Sequence, residues 1–410
     1  MRPLLVALIA MTVTLLAGGA GAEDAPPAAS PAALPAGVAA IRIAYLGQHI
    51  AQKLPSSFMD APPQDDGIAG ARLGVADDNT TGRFTAQNFT LDEQLIEGEG
   101  DVAAAFRNLV QAGDRLIVAD LPAAALLAVA DLPEAKAAML LNVAAKDDAL
   151  RGESCRANIL HLIPSRAMLA DALVQYLVLK RWRNVLLVPG PSEADKAYAD
   201  AVARSVKKFG AKLVATKPWT FDPGARRTDT GHYAISAEVA RFTQGLSYDV
   251  LVVADEDGVF GNEIPFRTTD PRPVAGTQGM VPTAWARPFE QWGATQLQNR
   301  FRRAAGRWMS ERDYAAWMAV RAIGEAATRT HSGDADAILQ FMRSDKMELA
   351  AFKGVKLSFR PWDGQLRQPV LLADADSLVS VSPQPGFLHQ VSELDTLGID
   401  QPETKCAMAK

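Results

Sequence analysis

The chain has 410 residues, 48% of them hydrophobic and 22% charged, with a formal net charge of −5. That is more apolar sequence than one ordinary core needs, and the mild acidity, with no basic cluster interleaved with aromatics, excludes nucleic acid as an expected partner. After the first residues, no apolar stretch is long enough to cross a bilayer.

Residues 1–22 read as a secretory signal peptide. Arg2 supplies the positive n-region, Leu4 to Leu16 an apolar core too short for a span, and Ala20-Gly21-Ala22 a small-residue cleavage site. Cleavage after Ala22 removes Arg2 and shifts the net charge from −5 to −6. No cysteine stands near that point to carry a lipid. Residues 23–40 are rich in proline and alanine and are expected to form a flexible linker.

Short apolar runs then alternate with helical periodicity, the pattern of parallel βαβ units. A strand is expected at Ile41–Tyr45, a helix at Gly67–Val75, a strand at Phe89–Leu95, a helix at Val102–Gln111, a strand at Arg115–Ala119, a helix at Pro122–Ala130 and a strand at Ala138–Val143. A second series begins with a helix at Met168–Lys180, followed by Val185–Val188, the helix Glu193–Phe209, Ala211–Ala215 and Tyr248–Ala254. After a Pro/Gly-rich stretch, Phe266 to Thr283, the sequence is helical from Phe289 to Thr330, with Tyr314, Trp317, Val320 and Ile323 spaced as a buried stripe. Val355–Phe359 and Pro369–Ala373 flank a hairpin-like turn at Asp363-Gly364.

Cys155 and Cys406 are the only cysteines. In an oxidising compartment an even pair points to a disulfide, here tying the C-terminal tail to the middle of the chain. Two separate thiols, with Cys406 fraying near the end, are the alternative.

The order of the two strand–helix series, the returning helix from Asp313, and the closing segment Phe352-Lys-Gly-Val-Lys-Leu-Ser-Phe-Arg-Pro-Trp-Asp-Gly364 together resemble the type I periplasmic substrate-binding proteins of ABC transporters, the branched-chain amino-acid-binding group. Asp78-Asn-Thr-Thr-Gly-Arg83, Trp292-Gly-Ala-Thr-Gln-Leu-Gln298, Trp362-Asp-Gly-Gln-Leu-Arg-Gln-Pro369 and Gly386-Phe-Leu-His389 resemble the subgroup associated with PQQ-dependent (quinoprotein) alcohol dehydrogenase systems. The resemblance implies an α/β protein of two Rossmann-like lobes with parallel sheets joined by crossovers. Lobe 1 would comprise 41–162 plus 283–345, lobe 2 would comprise 163–282 plus 346–400, and 401–410 would be a tail. It further implies a periplasmic, non-enzymatic, monomeric solute receptor that closes two lobes on its ligand and hands it to transporter membrane subunits. A second reading is a periplasmic accessory that docks on a dehydrogenase or membrane partner without capturing a solute.

Ligands of open parallel sheets sit at the carboxyl ends of the strands. The residues expected to line the cleft are therefore Asp78, Asn79, Asp120, Leu121, Ala145, Asp148, Ser192, Asp255 and Glu256. Members that hold amino acids carry hydroxyls where this chain reads Ala119-Asp120-Leu121-Pro122, so an amino-acid carboxylate would meet Asp120 head on. Carboxylates without nearby Lys or Arg call for a cation, and Asp78, Asp120, Asp148 and Glu256 are the candidate ligands of a calcium or lanthanide ion or of a cationic organic solute. The competing reading makes several of these acids ordinary helix N-caps. No other cofactor is expected.

Other motifs fail. The run from Asp77 starts like an EF-hand loop but has Asn88 at the twelfth position, and the run from Asp255 has Ile264 there, so the bidentate glutamate is missing from both. His49, His161, His232, His331 and His389 lack metal-ligand spacing. Neither a Gly-x-Ser-x-Gly elbow nor a Gly-x-x-x-x-Gly-Lys loop occurs.

Overall fold

The structure, a computed structural model, describes residues 37–50, 63–220 and 229–409. The expected signal peptide and most of the expected linker lie outside the described residues.

In the first half, strands β1 (Ala39–His49), β2 (Gln87–Glu97), β3 (Leu116–Asp120), β4 (Met139–Asn142) and β5 (Ile159–His161) alternate with helices α1 (Ile68–Thr85), α2 (Val102–Gln111) and α3 (Ala123–Ala130). The strands form one parallel sheet in the order β2-β1-β3-β4-β5. β3 and β4 are buried along their whole length, which is why they read as apolar runs up to their closing residues, Asp120 and Asn142.

Helix α1 runs ten residues past the expected end at Val75. Thr80 and Thr85 return their hydroxyls to the carbonyls of Ala76 and Thr81, and the helix packs along α8 (Glu311–Thr330). That contact is close: a Cβ on Gly70 would lie 1.9 Å from the Asp313 carbonyl oxygen, and one on Gly74 2.8 Å from Val320. Tertiary packing thus carries a polar segment whose own helix propensity is weak.

A second parallel sheet, β7-β6-β8-β9, is built from β6 (Asn184–Pro189), β7 (Lys212–Thr216), β8 (Val250–Ala254) and β9 (Val274–Gly276). It is flanked by α4 (Arg166–Leu179), α5 (Glu193–Lys208) and α6 (Asp229–Thr243). The fold class expected from the sequence, α/β with parallel sheets joined by crossovers, is the one observed.

The long helical stretch expected from Phe289 divides. A turn at Gln291–Gly293 opens α7 (Ala294–Ala305), Gly306 at φ +72 ends it, and a capping box of Ser310 and Asp313 starts α8. Tyr314, Trp317, Val320 and Ile323 are all buried, as their spacing predicted. α9 (Ala335–Met342) follows.

Two small antiparallel sheets complete the chain. One is β10-β14-β15, from β10 (Val281–Thr283), β14 (Val370–Ala373) and β15 (Leu378–Ser382). The other is β11-β12-β13, from β11 (Leu349–Ala350), β12 (Lys356–Phe359) and β13 (Leu366–Arg367). The turn at Asp363-Gly364 is real, but β12 pairs with β13 and not with the expected strand from Pro369. Pro369 has no N–H to continue the ladder, and β14 leaves for the other sheet.

The core divides with the sheets. One apolar cluster gathers β1, α1, Leu162, Ile163, Ala284, Trp285 and α8; another gathers α4, β6, α5 and β8. Met347, Leu349, Ala351, Leu357, Phe359 and Leu366, expected with the second lobe, pack in the first of these clusters, because the small sheet they form lies against Tyr314 and its neighbours. On β14, successive side chains alternate between cores: Leu371 joins the first, Val370 and Leu372 the second.

Cys155 and Cys406 are joined in a disulfide with Cα atoms 5.5 Å apart across 251 residues of sequence. It anchors the C-terminal tail to the loop before β5, as the cysteine count predicted. No helix among the described residues is long and apolar enough to cross a membrane.

Candidate functional site

Three passages carry the chain between the first and second apolar clusters: Leu162–Ser165 out of β5, Ala284 onward out of β10, and Gln368-Pro369 between β13 and β14. Buried polar side chains tie them together. Gln365 Nε2 donates to the carbonyls of His161 and Ile163 at 3.2 and 3.1 Å, and Gln368 Nε2 to that of Leu162 at 2.6 Å. Arg151 donates to Gln365 Oε1 at 2.9 Å and to the Ile163 carbonyl at 3.0 Å. Lys353 Nζ bridges the other two passages, donating to the carbonyls of Ala284 and Pro369. Apart from the Arg151–Gln365 bond, which joins two side chains, each bond goes to a main-chain carbonyl, the kind of buried acceptor that needs a partner.

At the carboxyl ends of the first sheet, β3 closes on Asp120, which is 3% exposed. Tyr45, from β1, donates its hydroxyl to Asp120 Oδ2 at 2.7 Å. Arg312, in the first turn of α8, lies 3.6 Å from Asp120 and 3.7 Å from Asp66. Burial raises the Asp120 carboxyl, opposed by the Arg312 charge and the Tyr45 hydrogen bond. The ion pairs to Arg312 are longer than a hydrogen bond, so its N–H groups are not committed to either carboxylate. Beside it Lys146 pairs with Glu311 at 2.6 Å, and Glu311 also accepts from the Ala284 N–H at 2.7 Å.

Where the first sheet's loops meet α4, Arg166 makes a two-pronged pair with Glu256 at 2.9 and 2.7 Å and lies 3.2 Å from Asp147. Arg166 therefore bridges the loop after β4 and the loop after β8.

The structure scatters the other expected site residues. Asp78 and Asn79 lie inside α1, not at a strand end: Asp78 pairs with Arg321 of α8, and the Asn79 amide exchanges two hydrogen bonds of 2.9 Å with the Phe89 main chain. Leu121 is fully buried. The Ala145 N–H and carbonyl are both occupied, by Asn142 and by Asn142 with Arg151. Asp148 accepts from the Ala167 N–H at 3.0 Å at the start of α4, and Ser192 caps α5 in a capping box with Asp195. Asp255 accepts from the N–H groups of Val259, Phe260 and Gly261.

The premise that these acids lack compensating cations is corrected. Asp78, Asp120 and Glu256 have Arg321, Arg312 and Arg166, and Asp148 and Asp255 are bonded to main-chain N–H groups. Among the described residues no three His, Cys, Asp or Glu side chains are grouped to hold a metal ion. Sequence reading passed over Tyr45, Arg166 and Arg312; the one available signal was the Ser310-x-x-Asp313 capping box, which places Arg312 in the first turn of a helix.

Two parallel sheets with flanking helices, linked by tied passages, are the type I periplasmic binding protein fold. Residues 61–242 match the family model described as periplasmic binding protein. The fold is similar to that of a periplasmic binding protein from Burkholderia mallei, with TM-score 0.64 and 18% identity over 91% of this chain and 100% of that one. It is also similar to a branched-chain amino-acid ABC transporter periplasmic ligand-binding protein from Burkholderia xenovorans, with TM-score 0.65 and 14% identity over 91% and 100%. A leucine-, isoleucine-, valine-, threonine- and alanine-binding protein from Brucella ovis, in a closed conformation, gives TM-score 0.61 and 15% identity over 86% and 92%. No curated protein matches the chain.

Proposed function

We propose that this protein is the periplasmic solute-binding component of an ABC transporter and takes a small polar solute at the strand ends, with Tyr45, Asp120 and Arg312 on one side and Arg166 with Glu256 near the other. The observation that carries the reading is the pairing of this fold with an arginine at the strand ends whose N–H groups are not committed to the carboxylates beside it. Solutes of the structurally similar proteins include amino acids, and the fold supports the same capture by closure of two lobes.

The Asp120 side chain occupies the turn where amino-acid binders carry hydroxyls, yet Arg312 beside it offsets part of its charge. Repulsion by Asp120 alone therefore does not decide the sign of the ligand. The narrower link to a quinoprotein alcohol dehydrogenase system rests on the resemblance of the short motifs from Asp78, Trp292, Trp362 and Gly386 alone. A calcium or lanthanide cargo gains no support from the acids, each of which has a partner of its own.

The test is a thermal-shift screen of the mature protein against amino acids, small carboxylates, alcohols, amines and multivalent cations. A receptor gains RT ln(1 + [L]/Kd), about 2.7 kcal/mol at a hundredfold excess over Kd. The expected hit loses its shift when Arg312 is replaced by Met. A hit that is indifferent to Arg312→Met and Asp120→Asn would move the site elsewhere, and a protein that co-purifies with a dehydrogenase but gives no hit would favour the accessory reading.

A further inference from the structure

A groove of about 1000 Å³ opens where α1, the Gln291–Gly293 turn, α7, α8 and residues 350–356 come together. Three aromatic side chains, Trp292, Trp317 and Phe352, line it. None of them belongs to the strand-end cluster.

Trp292 and Phe352 both sit at φ +55. Bulky side chains rarely adopt this region, and strain of this kind concentrates at ligand sites. The two residues hold each other there. A Cβ on Gly354 would lie 2.6 Å from the Trp292 ring, and one on Gly293 would lie 2.9 Å from the Phe352 ring, so each ring rests against the glycine of the opposite segment. Despite that clasp, Trp292 remains 66% exposed. Its indole rests against Gly354 yet stays largely exposed, which makes it an aromatic surface available for stacking that contributes little to the core.

The walls also carry Arg300, Arg321 and Lys356, against one carboxylate, Asp77. Arg300 donates one Nη2 bond of 3.0 Å to Asp77, while its Nε is buried with no hydrogen-bond partner among the described residues. Asp77 Oδ2 is further occupied by the Trp317 indole N–H at 2.9 Å. Arg321 pairs with Asp78, but burial pushes that carboxyl up to about 7, so near neutrality the Arg321 charge is only partly offset. Lys356 pairs with Glu348 in largely exposed positions. Lys353 also borders the groove, but its Nζ is turned to the carbonyls of Ala284 and Pro369. The groove therefore offers an aromatic face together with planar guanidinium forks.

We propose that this groove is a second binding site, separate from the strand ends, for a small planar aromatic carboxylate whose ring stacks on Trp292 and whose carboxylate is held by Arg300 with Arg321. Guanidinium forks match a planar carboxylate in a way that a point charge does not.

The probe is 2-naphthoate, titrated calorimetrically into the mature protein. Saturable binding is expected, weakened about five- to tenfold or more by Trp292→Ala and by Arg300→Met, and largely restored in Trp292→Phe. Trp292 is exposed, so its variants should keep the wild-type melting curve. Asp120→Asn should leave naphthoate binding unchanged, while 2-naphthylmethanol and cyclohexanecarboxylate, each lacking one of the two recognised features, should bind distinctly more weakly. Loss of binding in Asp120→Asn would place the ligand at the strand ends and overturn the proposal. So would indifference to Trp292→Ala and Arg300→Met, equal binding of the neutral alcohol, or no saturable heat.

Discussion

Asp78 on α1 pairs with Arg321 on α8 across the close helix contact, and its second carboxylate oxygen is buried without a hydrogen-bond partner among the described residues. Burial raises its titration to about 7, with the Arg321 charge opposing. Because the folded value lies above the unfolded one, the folded state binds more protons between about pH 4 and 7, and stability falls as pH rises through that window. Asp78→Asn removes the titration. The stability of wild type minus variant should decline by roughly 3 to 4 kcal/mol from pH 4 to 7 and stay level above it, as measured by urea unfolding. A flat difference would mean that Arg321 keeps the carboxylate ionised throughout.

Lys353 gives the opposite sign. Burial lowers its amine to about 7, below the ordinary lysine value, despite the attraction of Glu311. Here the unfolded state binds more protons between about pH 7 and 10, so stability rises with pH in that window. Relative to Lys353→Met, wild type should gain on the order of 4 kcal/mol at most over that range. The variant also leaves the Ala284 and Pro369 carbonyls without their donor, so it should be the less stable protein at pH 9. Equal slopes for the two proteins would show that the amine stays protonated inside the fold.

The disulfide closes a loop of 251 residues. Chain-entropy arithmetic allows roughly 5 kcal/mol for such a loop as an upper figure. The double variant Cys155→Ser, Cys406→Ser, or the reduced wild type, should melt well below the oxidised protein, and adding reductant should not lower the double variant further. Alkylation of both thiols in denatured, unreduced protein would contradict the pairing.

Much of the architecture is legible in one dimension. A strand buried on both faces reads as a nearly continuous apolar run, and Leu116–Asp120, Met139–Asn142 and Val250–Ala254 stand out for that reason, the first two apolar up to their last residue. Helix α2 matches its expected limits because Asp101 caps it and its apolar residues repeat at helical spacing. The boundary of α1 was not legible, since Asp77 to Thr85 is helical only by virtue of α8 packed along it.

The sequence by itself determined the alternation of strands and helices, hence the parallel sheets, and left each of its two cysteines a single possible partner within the chain, because periodicity and cysteine count are properties of the chain alone. What only the tertiary structure decided is which charges meet. Glu256 finds Arg166 across 90 residues and Asp78 finds Arg321 across 243. The acids that follow apolar runs look alike in sequence, yet packing turns one to a tyrosine and an arginine, two to arginines and two to helix or loop N–H groups. Burial and pairing set the charge a ligand would meet, and both arise only when distant segments are brought together and desolvated.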